Sequence, residues 1–259
     1  LEFRDWVPLD VPKNETGPLP ESPLFCYNID FETIPNNTSC SIATYQVLCD
    51  MRDLTNLFIK KTTKDIKEED EERTSLSLQD YPKEVSAIRE RLASLPSAYS
   101  PGHETSNDWV YEACRIAALI YTTAIFFEVP LSVAADPNHY RDLSGSSSTA
   151  NSDVTRQLLS VLERTDVGNI WSDMAGVLYW VCAVGAAAAR TPAALDESLQ
   201  FLPRCASDQV WVRRCLVMHA TRTMLILIFQ HPTPMIMAQK KLLQVQELIG
   251  TYDAKASTT

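Results

Sequence analysis

The sequence predicts an all-α fold: a single domain of about eight helices, packed mainly antiparallel, with an extended N-terminal arm. Three observations lead there. Apolar residues recur at spacings of three and four along most of the 259 residues, and these runs start and stop at recognisable caps. No two alternating runs are joined by a hairpin turn, and no unit repeats at a fixed period. Seven glycines against fifteen prolines are a poor supply for the many turns of a sandwich or barrel.

Residues 1–37 form the arm, where Pro8, Pro12, Pro18, Pro20, Pro23 and Pro35 interrupt any periodicity and Trp6, Phe25 and Tyr27 are available to drape it over the body. The helical domain spans 38–259. Its first helix starts near Thr38 or Ser39, with Ile42, Tyr45, Leu48, Cys49, Met51 and Phe58 on one broad face. A charged linker is expected over 60–80, where Lys60, Lys61, Lys64 and Lys67 precede the acidic run Glu68 to Glu72. Asp80 caps a second helix with Pro82 in its first turn; it stops at Leu95-Pro96, because proline disfavours helical geometry in the preceding residue.

Asn107 or Asp108 opens a third helix that continues to Val129-Pro130, and the serine-rich stretch 136–152 reads as a loop. Further helices are expected over about 153–164 and 169–189, the latter apolar over most of its circumference and therefore central. Thr191-Pro192 opens another that ends before Pro203, and Ser207 caps one that reaches Gln230. After the break at His231-Pro232-Thr233-Pro234, Met235 to Leu248 supplies the last helix, with Gly250 as its terminator. Gly176 and Gly185, with Ala186 to Ala189, would permit close helix–helix approach in the core.

Composition narrows the function classes. A net charge of −10 and a pI near 4.9 give no basic footprint for a polyanion, so DNA binding by this chain itself is not expected. The apolar runs Ile116–Phe127, Gly176–Ala189 and Met224–Phe229 fall short of the roughly 18 residues of a membrane span, and no membrane partner is expected. Seven cysteines, at 26, 40, 49, 114, 182, 205 and 215, include no C-x-x-C pair; reduced, packed thiols and no structural zinc are expected. The chain opens at Leu1 without a methionine and reads as an excised fragment.

Catalytic signals are weak. There is no G-x-S-x-G elbow, P-loop or G-x-G-x-x-G, and no residue is assigned a catalytic or metal-ligating role. The carboxylates of Glu68 to Glu72 could hold magnesium for pyrophosphate chemistry of the terpene-cyclase type, which is the enzymatic alternative. They lack the aspartate-rich pattern and apolar flanks of those enzymes, and Tyr111 stands where a hydroxyl ligand should follow Asn107-Asp108. Cys215 and His219, one turn apart, mimic a thiolate–imidazole pair, but the reading favoured is a packed cysteine beside a satisfied histidine. Asp108, Glu112, Arg115 and Thr122 share a face that reads as the solvent side of its helix.

Residues 210–229 leave little polar surface for Arg213, Arg214, His219 and Arg222. Trp211, Cys215, Met218 and Arg222 share a face, so Arg222 should pair with an acidic residue on a neighbouring helix or point into a pocket. A cavity between this helix and the 169–189 helix would be lined by Trp180, Trp211, His219 and Arg222.

Two segments resemble a known family. YEACRIAALIYTTAIFFEVPLS (111–132) resembles a Y-E-x-C-R segment followed by an apolar, alanine-rich helix, and GNIWSDMAGVLYWVCAVGAAAA (168–189) resembles a later tryptophan- and alanine-rich segment of the same domain. The family is the fungal-specific transcription factor domain, found C-terminal to binuclear zinc clusters. The likeness is carried by residues 105–190, with Tyr111, Glu112, Cys114, Arg115, Trp171, Trp180 and Gly185 as fold markers. It implies a nuclear, non-enzymatic regulatory domain that senses an effector or binds a partner and so controls transcription of target genes. Zinc and DNA contacts would belong to an upstream cluster of two C-x2-C-x6-C runs, neither of which occurs here. The partners implied are a small-molecule effector, a coactivator protein or a second copy of the chain; a helical interaction scaffold without any ligand is the third reading.

Overall fold

The computed structural model describes residues 17–67, 81–136, 153–190 and 204–256, and it is all-α. Eight helices appear among these residues: α1 (Ile42–Lys67), α2 (Tyr81–Ser94), α3 (Trp109–Phe127), α4 (Leu131–Ala134), α5 (Val154–Leu162), α6 (Ala175–Ala188), α7 (Arg204–Gln230) and α8 (Pro232–Ala256). The expected Asp80 cap, the acidic run 68–72, most of the 136–152 loop and the helix expected over 191–203 lie outside the described residues.

α3 is the centre. It packs against α1, α2, α4, α5 and α6, and its residues are buried around most of its circumference. By length and composition α3 could cross a membrane, a span the shorter apolar run 116–127 understated; 72% of that window is buried inside the protein. Asp108 starts it, accepting the Tyr111 N–H at 2.9 Å, so a side-chain oxygen satisfies one of the orphan donors of the first turn. The Tyr121 hydroxyl lies 3.0 Å from Thr55 Oγ1 on α1, and its ring meets Trp180 of α6 edge-on at 6.0 Å. α6 in turn packs most extensively on α7.

Several boundaries differ from the sequence reading, each for a local reason. α1 starts at Ile42 because Asn37 turns back on the Ser39 N–H, and Ser41 then accepts from Thr44 N. It runs on to Lys67, so 60–67 is helix and not linker. Leu54, Phe58 and Thr62 continue one buried stripe through the lysine block, and Lys61 pairs with Glu128 at 2.9 Å. α8 likewise passes through Gly250, because Met235, Ala238, Leu242, Val245 and Ile249 keep a buried face turning inward up to the glycine. A helical glycine costs only about 1 kcal/mol, less than that packing supplies.

The helix expected from 169 starts six residues late. Residues Val167–Asn169 and Ser172–Met174 form short 3-10 turns, and Ile170, Trp171 and Ser172 between and at them take positive φ. That conformation is costly for a β-branched isoleucine and blocks an α-helical start. Burial of Ile170 and Trp171, and a 2.8 Å bond from the Trp171 indole to Thr165 Oγ1, hold it.

The described part of the arm is built into the body. Leu24, Phe25, Phe31 and Ile34 join the core, whereas Tyr27 is 41% exposed. Glu21, fully buried, organises this irregular chain by accepting bonds from the backbone N–H groups of Tyr27, Glu32 and Thr33 and from the Thr33 hydroxyl. Gly176 makes the docking feasible: its N–H donates to the Leu19 carbonyl at 2.9 Å, and a Cβ there would stand 2.3 Å from the Pro20 carbonyl oxygen. Gly185 does serve helix packing, admitting Leu158 of α5 and Leu216 of α7.

These two glycines should respond differently to alanine. At Gly176 the obstacle is backbone, so Gly176→Ala should cost about 2 kcal/mol or more and lower Tm by about 4–8 °C. At Gly185 the obstacles are leucine methyls that can rotate, and Gly185→Ala should cost about half as much. Thermal denaturation of both variants checks this; equal losses would contradict it.

Candidate functional site

The geometry of α7 follows from which side the bundle covers. Val212, Leu216, Thr223 and Leu227 face inward and are buried. At about 100° per residue, Trp211, Met218, Leu225 and Phe229 fall in a narrow stripe nearly opposite. They are 64%, 58%, 47% and 83% exposed. The face shared by Trp211, Met218 and Arg222 is therefore an outer face, and α7 carries apolar side chains on two sides.

The four residues read as cavity lining do not converge. Trp180 is fully buried on α6 against Tyr121, and its indole N–H has no hydrogen-bond partner among the described residues. Trp211 lines a surface groove of about 300 Å³ with Asp208 and Val212 on α7 and Arg156, Leu159, Ser160 and Glu163 on α5. A 2.6 Å ion pair between Arg156 and Asp208 bridges this groove; with both partners about half exposed it contributes little to stability. Among the described residues Arg222 pairs with no acid and does not line the groove beside Trp211: its Nη2 donates to the Gly168 carbonyl at 2.7 Å, tying α7 to the strained 166–172 stretch.

His219 and Cys215, one turn apart on α7, are each partly buried. Burial holds the Cys215 thiol above its ordinary value, with Glu163 adding to the effect. Burial, then the Arg222 charge, holds the His219 imidazole below its ordinary value, with Glu163 opposing. An activated pair needs the reverse shifts, a thiol lowered by a charged imidazole. Here each group favours its neutral form, which suits packing.

The face of α3 read as its solvent side is instead largely buried. Glu112 is fully buried, and its two oxygens divide four donors between them. Oε1 accepts from Arg115 Nη2 at 2.7 Å and Ser97 Oγ at 2.8 Å; Oε2 accepts from Arg115 Nε at 2.9 Å and the Ala98 N–H at 2.9 Å. Burial alone would raise its pKa, but the Arg115 guanidinium and these bonds outweigh that and hold the carboxyl below the usual range. Beside it, the buried Tyr111 phenol, pushed up to about 12 by burial, donates to the Pro96 carbonyl at 2.9 Å. Thr122 is also buried, its hydroxyl against the Met51 sulfur.

Among the described residues no group of three or more histidine, cysteine, aspartate or glutamate side chains is placed to hold a metal. The acidic run of the magnesium alternative, Glu68 to Glu72, lies outside the described residues, and Asp108, compared with the second motif of those enzymes, is engaged as the α3 cap. Free thiols are found at Cys26, Cys40, Cys49, Cys114, Cys182 and Cys215. The residues that sequence reasoning missed are Leu225 and Phe229. Their signal was present, since 211, 218, 225 and 229 repeat at intervals of seven, seven and four, alongside the inward stripe.

Comparison with known proteins returns no family model, no curated protein and no solved structure that matches this chain.

Removing the Glu112 carboxylate should be among the most damaging single changes. Glu112→Ala leaves Arg115 and the Ala98 N–H without their acceptor and should cost about 3–5 kcal/mol. Because the folded-state pKa is lowered, the stabilisation is fully present above the unfolded value of about 4.3 and is lost as pH falls through the folded value. The stability difference between wild type and Glu112→Ala, measured by urea denaturation, should be flat above about pH 5 and shrink below about pH 4. A difference independent of pH would show that the pair is not ionised.

Proposed function

We propose that residues 38–259 are the regulatory domain of a fungal zinc-cluster transcription factor, acting in the nucleus and controlling target genes through a partner or effector. The observation that carries this reading is the placement of the two segments that resemble that family. They form α3 and α6, the two helices around which the rest is assembled. The marker residues in them hold specific structural positions: Tyr111, Glu112 and Arg115 fix the start of α3, Cys114 is buried within it, Trp180 packs on Tyr121, and Gly185 admits α5 and α7. A likeness confined to composition would have no reason to fall on these positions.

Within this reading, partner binding is better supported than sensing of a small molecule. The grooves at the surface are shallow, whereas α7 presents an apolar stripe of the kind that marks a contact face. A partner changes output only if it binds two states of the domain with different affinity.

Fusing residues 1–259 to an unrelated DNA-binding module and measuring a reporter in a fungal host tests the reading. Reporter transcription should change several-fold relative to the module alone, in either direction. Output identical to the bare module, from a fusion shown to be folded and nuclear, would overturn it.

A further inference from the structure

The lysine block of α1 is divided between two sides of the helix. Lys61 turns to Glu128, and its ammonium also lies 4.9 Å from the centre of the Tyr81 ring. Lys60 turns the other way, into a groove of about 360 Å³ between α1 and α8. Asn56, Ile59 and Lys60 form one wall, at the three- and four-residue spacing of a single helix face. Met237, Lys240, Lys241 and Gln244 form the other wall at the same spacing. Both walls flank the buried stripes that hold the two helices in the body, so the groove is fixed by the core beneath it.

The charge of this groove is one-sided. Among the described residues it is lined by three cations and no carboxylate, in a chain of net charge −10. Lys60, Lys240 and Lys241 have no ion-pair partner among the described residues. Asp53, two turns before Lys60, is held by Arg52 at 2.9 Å, and Glu247, one turn past Gln244, does not line the groove. A concavity walled by one sign of charge concentrates its potential and favours the opposite charge inside it. Lys241 is the anchor: it is partly buried, and its Nζ donates to the neutral Asn56 Oδ1 at 3.0 Å. Burial holds its ammonium below the ordinary value, with Cys26 opposing, so a desolvated cation stands there without a counter-ion. The remaining lining is apolar, from Ile59, Met237 and the methylene stems of the lysines.

We propose that the α1–α8 groove binds a small organic dianion, a phosphate monoester or a dicarboxylate, its acidic part held by Lys60, Lys240 and Lys241 and its apolar part against Ile59 and Met237. Three ammonium groups around one groove favour a ligand with more than one negative charge. A volume of about 360 Å³ falls at the small end of the range of small-molecule sites. The groove includes no residue of α7, so this site is separate from the face offered to a partner.

Calorimetric titration of phenyl phosphate into the full 259-residue chain tests this, with phenylsuccinate and inorganic phosphate as the other probes. Saturable binding at one site is expected, with the better phenyl-bearing probe several-fold tighter than inorganic phosphate. Whichever of phenyl phosphate and phenylsuccinate binds tighter assigns the acidic group. Lys60→Gln and Lys240→Gln should each weaken binding about threefold, and the pair about tenfold, while Lys83→Gln on α2 leaves it unchanged. Circular dichroism of all three variants should match the wild type. The 13C-methyl resonance of Met237 should shift as the probe is added, and that of Met218 on α7 should not. Affinity insensitive to both groove lysines, or no saturable binding of either phenyl-bearing probe, would overturn the proposal. Inorganic phosphate binding as tightly as both phenyl-bearing probes would overturn it too, since the apolar wall would then take no part. Binding that appears only after Glu68 to Glu72 are changed to glutamine would assign the groove to the chain's own acidic run and overturn it as well. None of these outcomes bears on the reporter assay, so failure here and failure of the regulatory reading remain distinguishable.

Discussion

Burial of one carboxylate organises this molecule. Glu112 sits in the first turn of α3, where an acid favours the helix start, but it is taken fully out of water. A buried charge is tolerated only with every lone pair engaged, and the partners here come from two places. Arg115 comes from the next turn of the same helix; Ser97 and Ala98 come from the chain leaving α2. Satisfying the charge therefore joins the exit of α2 to the entry of α3, and Tyr111, bonded to Pro96, repeats the connection. With its start fixed, α3 presents Tyr121 to Thr55 and Trp180, and so sets α1 and α6 about itself.

The same solution appears a second time without a cation. Glu21 is equally buried, and its partners are backbone N–H groups and one hydroxyl of the segment 27–33. That segment has no helix or sheet to satisfy its donors, so a carboxylate takes the place of a ladder. The arrangement works only because the backbone at Leu19–Glu21 can lie directly on α6 at Gly176. In both places an acid stabilises irregular chain against a helix, and the helices themselves are held mainly by apolar packing.

What the sequence made legible was the existence of most helices, because that depends on local spacing; their ends were read less well. Asp108 caps α3 as one of the two residues expected to open it, and the apolar helix expected to be central, α6, is buried over most of its length. Periodicity identifies which residues share a face and is silent about which way that face points. Glu112, Arg115 and Thr122 were correctly grouped, yet polar residues normally face water, and the grouping was assigned to the wrong side. Trp211, Met218 and Arg222 were also correctly grouped and assigned inward, because an apolar face normally points to the core. The two errors share a cause: orientation is decided by neighbours far away in sequence, here Ser97 and Ala98 for α3 and the α5–α6 surface for α7. The late start of α6 was hidden for another reason, since nothing in Ile170-Trp171-Ser172 announces a left-handed turn.

The two-sidedness of α7 separates what the fold needs from what it carries in addition. The inward stripe is sufficient to seat α7, since Val212, Leu216 and Leu227 are fully engaged with the body. The outer stripe is only partly covered by the described residues, and an exposed phenylalanine and tryptophan in water carry a standing risk of association. Scattered single apolar residues need no cause, but four on one line of one helix, flanked by arginine in a strongly acidic chain, form a surface of defined polarity. Such a surface has the polarity to complement an apolar, acidic ligand, the area supplying affinity and the arginines supplying orientation. The Glu112-centred core holds the shape of the domain, and the outer stripe of α7 is a surface that this shape does not require.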